Sequence, residues 1–215
     1  MADTHGRRAG AAPVPSRYGG DVDTDQPAPA DTAPTATTAV EPPPAIAPDE
    51  KDWTWVLRSR CPECGFAASD VDPQGIGGTV RDLVPRWVAA LHRDDAAVRP
   101  APAVWSTLEY GAHVRDVMRV FDERVRLMLE QDDPSFANWD QDATALADRY
   151  DLQDPATVAD ELALAAEATA ARFDAVTGEQ WERTGRRSNG SLFTVRTLGQ
   201  YFLHDVVHHL HDVDA

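Results

Sequence analysis

Lysine is almost missing from this chain: Lys51 is the single one in 215 residues, and every other fixed cation is an arginine. Basic side chains number 20 against 36 acidic ones, which sets the formal net charge at −16. So acidic a surface repels nucleic-acid phosphates and anionic lipid headgroups, which argues against DNA, RNA and membrane partners. Arg183, Arg186 and Arg187 make a close basic group against that background. Cysteine is scarce as well. Cys61 and Cys64 are too few for a disulfide framework. No stretch approaches the ~18 uncharged apolar residues of a membrane span. Arg7-Arg8 is followed by a segment, Ala9 to Pro15, too short and proline-broken for a signal core. The expectation is a cytoplasmic protein. Its abundance of Ala, Asp and Arg matches a GC-rich genome.

Hydrophobic residues make up 42% of the chain, enough for one domain with a core. They are unevenly spread. In residues 1–48 the large apolar side chains are Tyr18 and Ile46, and prolines such as Pro27, Pro34 and Pro42-Pro43-Pro44 break any period. That segment buries too little apolar area to offset its conformational entropy, so a disordered tail is expected over 1–48. Residues 49–74 read as an N-terminal arm. In it, Asp52-Trp53-Thr54-Trp55-Val56-Leu57 alternates like a short strand or extended arm, and Cys61-Pro62-Glu63-Cys64-Gly65 forms a tight knuckle.

From residue 75 to 215 the period changes to that of helices. Ile76, Val80, Leu83, Val84, Trp87, Val88 and Leu91 mark a first block, which Pro85 should kink or divide. Ser106 with Glu109 three residues on is a capping box that opens a second block. Asp154-Pro155 opens a third, with proline at the first helical position. A fourth starts at Thr194. The fold class is therefore all-α, a four-helix bundle with a long crossover between the second and third helices. The crossover, Asp132 to Gln153, carries Phe136-Ala137-Asn138-Trp139-Asp140, too aromatic for a plain linker and suited to a pocket wall.

Four of seven histidines fall in the last block. His204 and His208 are four apart, so on a helix their Cβ atoms lie about 5–6 Å from each other and can share one metal ion. On a helical wheel the apolar stripe centres on Leu203, Val206, Val207 and Leu210, with His204, His208 and His211 along one flank. Asp205 and His209 then point away, and His209 and His211 suit the negative end of the helix dipole. His113, flanking the stripe of the second helix, supplies a third imidazole. Three neutral imidazoles leave a fourth position open, as catalytic zinc sites do, although nickel and other divalent ions also take imidazole. Asp116 and Asp205 lie near these residues in sequence and are the candidate acid–base or ligand-orienting groups. The Cys61/Cys64 pair has no second C-x-x-C. It reads as half of a second zinc site completed by other residues, or as a plain turn, ahead of a redox pair. Trp53 and Trp55 are expected to anchor the arm.

Three stretches together carry a resemblance: Trp105-Ser106-Thr107-Leu108-Glu109-Tyr110-Gly111-Ala112-His113-Val114-Arg115-Asp116, Phe136-Ala137-Asn138-Trp139-Asp140-Gln141-Asp142, and Tyr201-Phe202-Leu203-His204-Asp205-Val206-Val207-His208-His209. The chain resembles the DinB-like (DinB/YfiT) superfamily of metalloenzymes, in its actinobacterial form, from about Asp52 onward. The resemblance implies a four-helix bundle whose metal is held by one histidine of the second helix and an H-x-x-x-H of the fourth, here His113, His204 and His208. It implies S-transfer or isomerisation with a low-molecular-weight thiol, and mycothiol as cosubstrate by analogy. The partners would then be a small electrophile and that thiol. Metal-dependent hydrolysis, or a non-catalytic metal-binding or stress-response bundle, are the alternatives. Apolar bundle faces also suit a homodimer.

Overall fold

The computed structural model describes residue 46 and residues 51–215. The expected disordered tail, 1–48, therefore falls almost wholly outside the described residues. Among the described residues there are five α-helices: α1 (Ile76–Leu91), α2 (Thr107–Glu130), α3 (Gln141–Ala147), α4 (Pro155–Asp174) and α5 (Val195–Asp212). The four long ones make the bundle. Helix α4 packs along both α1 and α2, and α5 packs along α2 and α1, so the ring runs α1–α4–α2–α5. The sequence neighbours α1 and α2 thus sit across the bundle. Phe121, Phe173 and Phe202 meet in its centre, with Phe202 5.4 Å from Phe121 and 5.7 Å from Phe173 between ring centroids.

Local sequence signals place the helix starts. Ser106 accepts a hydrogen bond from the Glu109 N–H, and the Glu109 carboxylate accepts from the Ser106 N–H at 2.8 Å. Glu109 is buried, and Arg99 satisfies its charge through Nε at 2.8 Å. Asp154 caps α4 and Thr194 caps α5 through the N–H groups of Thr157 and Thr197. Pro85 leaves α1 unbroken. It lies on the exposed face, where the carbonyl left without its helical partner is open to solvent.

Two features depart from the sequence reading. Trp53–Leu57 is a 3-10 turn rather than a strand, because Asp52 accepts from the Thr54 N–H at 3.0 Å and closes the chain locally. A small sheet also sits on the bundle: β1 (Ser135–Phe136) runs parallel to β2 (Thr184–Arg187), which is antiparallel to β3 (Leu192–Thr194). The β2–β3 turn holds Asn189-Gly190, with Gly190 at φ 95°. Gly185 is required where β2 crosses α2, since a Cβ there would run into Met128 and Phe136. The hairpin delivers the chain straight into α5, and β1 opens a crossover that contains α3.

Asp116, a candidate acid–base residue from sequence, is instead a structural hub. Arg115 grips both of its oxygens at 3.0 Å, Arg119 donates to one, and Tyr150 donates from the crossover. Every lone pair is committed, which leaves it unsuited to move protons. Burial pushes its carboxyl up, but the Arg115 and Tyr150 hydrogen bonds outweigh that and hold it below the usual carboxylate range. Its stabilising effect is full above the unfolded value near pH 4 and is lost as pH falls through the lower folded value. Asp116→Asn is expected to lose about 3 kcal/mol in urea unfolding at pH 6. The gap to the parent protein should shrink at pH 3, and a gap independent of pH contradicts this account.

Candidate metal centre

At one end of the bundle α5 is covered on two sides. The arm lies over one flank, and α2 with the crossover lies over the other. As a result three of the four histidines of α5 fall into two separate groups, and His211 joins neither.

The first group is His113, Asp205 and His209, whose donor atoms all lie within 4.8 Å of one another. One oxygen, Asp205 Oδ1, is 3.3 Å from His113 Nε2 and 3.6 Å from His209 Nε2. Ligands about 2.0–2.1 Å from a tetrahedral zinc ion stand about 3.4 Å apart, so these separations fit a shared cation. Asp205 and His209 keep 22% and 17% side-chain exposure, whereas His113 is fully buried. The opening faces a cleft of about 660 Å³. Its walls include Trp105 from before α2, Trp139 and Asn138 from the crossover, Arg187 from β2, and Lys51 and Trp53 from the arm.

Neighbouring groups hold these ligands in place. Asp212 Oδ2 is 2.8 Å from His209 Nδ1, which directs the other ring nitrogen toward Asp205. The Trp139 ring stacks on His113 at 5.4 Å and 8°, and Trp105 packs 5.5 Å from the same imidazole. Trp139 is itself fixed by donating Nε1–H to Thr144 at 2.8 Å. Burial pushes the His113 imidazole down, and the Asp205 hydrogen bond only partly opposes this. Burial alone would raise the Asp205 carboxyl, but its bond to His113 outweighs that and brings it down to about 2. At neutral pH the group is therefore a neutral imidazole beside a carboxylate, the forms that bind metals.

The second group is Cys61, Cys64, His204 and His208, again with all donors within 4.8 Å. Cys61 Sγ is 3.7 Å from His208 Nδ1. Burial, and next the neighbouring His208, bring His204 down to about 4. Burial also pushes the Cys64 thiol up to about 11, far from the depressed value of a reactive thiolate.

The structure thus distributes the expected ligands His113, His204 and His208 over two groups. His113 meets Asp205 and His209, while His204 and His208 meet the cysteines. Asp205 changes role from candidate base to candidate ligand. His209, taken from sequence as a helix-end residue pointing away, is at the centre. A wheel centred on one apolar stripe assumes one covered face, and this helix has two. Asp205-x-x-x-His209 repeats the four-residue spacing of His204-x-x-x-His208, and that signal was available in the sequence.

Four long helices in a bundle, with two imidazoles and a carboxylate gathered beside a cleft, define a helical-bundle protein with a donor set suited to a metal ion. The chain belongs to the DinB superfamily, whose family model matches residues 78–213. Among solved structures it is similar to YfiT from Bacillus subtilis, described as a probable metal-dependent hydrolase with an unusual four-helix bundle topology. The TM-score is 0.58 at 16% sequence identity, over 66% of this chain and 85% of that one. At that identity the likeness is one of fold. A search of curated proteins finds no match. Among the described residues, no helix is long and apolar enough to cross a membrane.

Asp212 gives the arrangement a direct check. Asp212→Asn keeps the shape but weakens the hold on the His209 ring, and is expected to cost roughly 10–100-fold in affinity for Zn(II) at this centre. Competition with a chromophoric chelator measures it, and an unchanged affinity contradicts the orienting role.

Proposed function

We propose that this chain is a metal-dependent enzyme acting on a small molecule, with His113, Asp205 and His209 holding one divalent ion and hydrolysis as its reaction. The observation that carries the reading is the single carboxylate oxygen of Asp205 facing two imidazole nitrogens at 3.3 and 3.6 Å beside a cleft. Two histidines and a carboxylate make a three-ligand set of the catalytic zinc type, with room for a further ligand. A divalent ion there, with zinc the first candidate, supplies Lewis-acid polarisation of an oxygen and activation of water.

The chain's own groups do the rest. Asp205 provides the anionic donor, and Asp212 orients His209. Trp105 and Trp139 shield the His113 ring from water. Arg187 and Lys51 bring cations to the cleft wall, suited to a carboxylate or other anion on the substrate. YfiT, which shares the fold, is described as a probable metal-dependent hydrolase, and this supports the same reaction class.

A second reading is thiol transfer or isomerisation with a low-molecular-weight thiol such as mycothiol. It is favoured by the three tryptophans, Trp53, Trp105 and Trp139, that line the cleft. Flat aromatic surfaces suit the sugar-like rings of that thiol. A panel of esters and electrophiles, assayed with and without mycothiol, separates the two readings. Turnover without thiol, lost on chelation and reduced to background by His113→Ala or His209→Ala, is the expected result. Turnover that requires mycothiol establishes the second reading, and turnover indifferent to chelation rejects both.

A further inference from the structure

We propose that Cys61, Cys64, His204 and His208 form a second, closed tetrahedral Zn(II) site that latches the N-terminal arm onto α5 and so builds one wall of the cleft. Two thiolates and two imidazoles are a complete zinc ligand set with no position left for substrate. The spacing fits. With Zn–S about 2.3 Å and Zn–N about 2.0–2.1 Å, a tetrahedron places sulfur and nitrogen about 3.6 Å apart, and Cys61 Sγ to His208 Nδ1 is 3.7 Å.

The knuckle is preformed. The Cys61 N–H donates to Phe66 O at 2.8 Å, the Gly65 N–H donates to Cys61 O at 3.0 Å, and Gly65 takes φ 75° to close the turn. That fold brings both sulfurs to the same side. The two histidines come from successive turns of α5. A thiol–imidazole hydrogen bond would account for the Cys61–His208 pair alone. It leaves His204 Nε2, on a side chain 4% exposed, buried with no hydrogen-bond partner. An orphaned ring nitrogen within such a donor cluster is the atom a metal would satisfy.

The surroundings are those of a closed site. Cys61 is 1% exposed. Trp53 lies 5.5 Å from His204 and 5.1 Å from His208, and Phe66 sits edge-on to His204 at 5.5 Å. The arm also needs a clasp. Between residues 51 and 75 it consists of short 3-10 turns and buries few side chains, chiefly Val56, Ala68 and the Pro73 ring. Segments with so small a core depend on a cross-link or a metal. Lys51, Asp52, Trp53 and Glu63 of this arm line the cleft, so the clasp fixes the wall that faces the first centre.

Metal counting on the full chain, grown with zinc and purified without chelator, tests the site. The parent protein is expected to hold two zinc ions. The Cys61→Ser/Cys64→Ser variant should hold one, and His113→Ala/His209→Ala should also hold one. After cobalt exchange, intense thiolate-to-cobalt absorption is expected in the parent and in the His113/His209 variant, and should vanish in the cysteine variant. The last comparison separates failure of this site from failure of the first. The parent protein alone gives a test free of folding defects: chelation should open residues 51–75 to limited proteolysis, and added zinc should restore protection. Zinc content unchanged by the cysteine substitutions, an intact mass showing a Cys61–Cys64 disulfide, or protection indifferent to chelation would each overturn the proposal.

Discussion

The constraint that organises this molecule is the pitch of one helix. An α-helix turns about 100° per residue, so two pairs of donors, each spaced by four and offset by one, face different directions. His204 with His208 and Asp205 with His209 are such pairs on α5. The first pair looks toward the arm and its two thiols, the second toward α2 and the crossover. A shift of one residue in the start of α5 would turn both pairs out of register. The Thr194 cap and the β2–β3 hairpin set that start. The hairpin in turn is seated on α2 by the absence of a side chain at Gly185.

The partner of the second pair needs equal precision. His113 lies two turns into α2, whose first residue is set by Ser106, Glu109 and Arg99 acting together. Three residues beyond it, Asp116 ties α2 to Tyr150 in the crossover. Arg115 extends the same network to Glu161 of α4 at 3.0 Å. The buried polar network and His113 therefore share one stretch of α2, and the network fixes the imidazole. Trp139, on the same crossover, completes the enclosure by stacking on the His113 ring.

Much of this was legible from residues alone. The caps at Ser106, Asp154 and Thr194 stand where the capping rules put them, and the aromatic crossover does line the cleft. The three strands were not read, because segments of two to four residues such as Thr184-Gly185-Arg186-Arg187 show no alternation. Only Asn189-Gly190 hinted at a hairpin. The histidines were legible as candidate metal ligands, and the structure groups them differently for a physical reason. A wheel shows which residues share a face, not what covers each face. The arm that covers His204 and His208 is far from them in sequence, with Cys61 and His208 147 positions apart. The family resemblance carried the same ambiguity, since an H-x-x-x-H was matched where the structure offers Asp205-x-x-x-His209.

The two donor sets differ in charge, and the roles proposed for them follow from that difference. Two thiolates and two imidazoles around Zn(II) make a neutral unit, which tolerates burial under Trp53 and Phe66. Two imidazoles and one carboxylate leave a net charge of one on the ion, and a charge of that kind holds an anion or polarises an oxygen. In a chain with a formal net charge of −16, such a point is a local exception. Arg187 and Lys51 line the same cleft, among the carboxylates of Asp52, Glu63, Asp140, Asp142 and Asp212. An anionic end of a small substrate would be drawn to the few cations and held off the carboxylates, so the same charges would orient it.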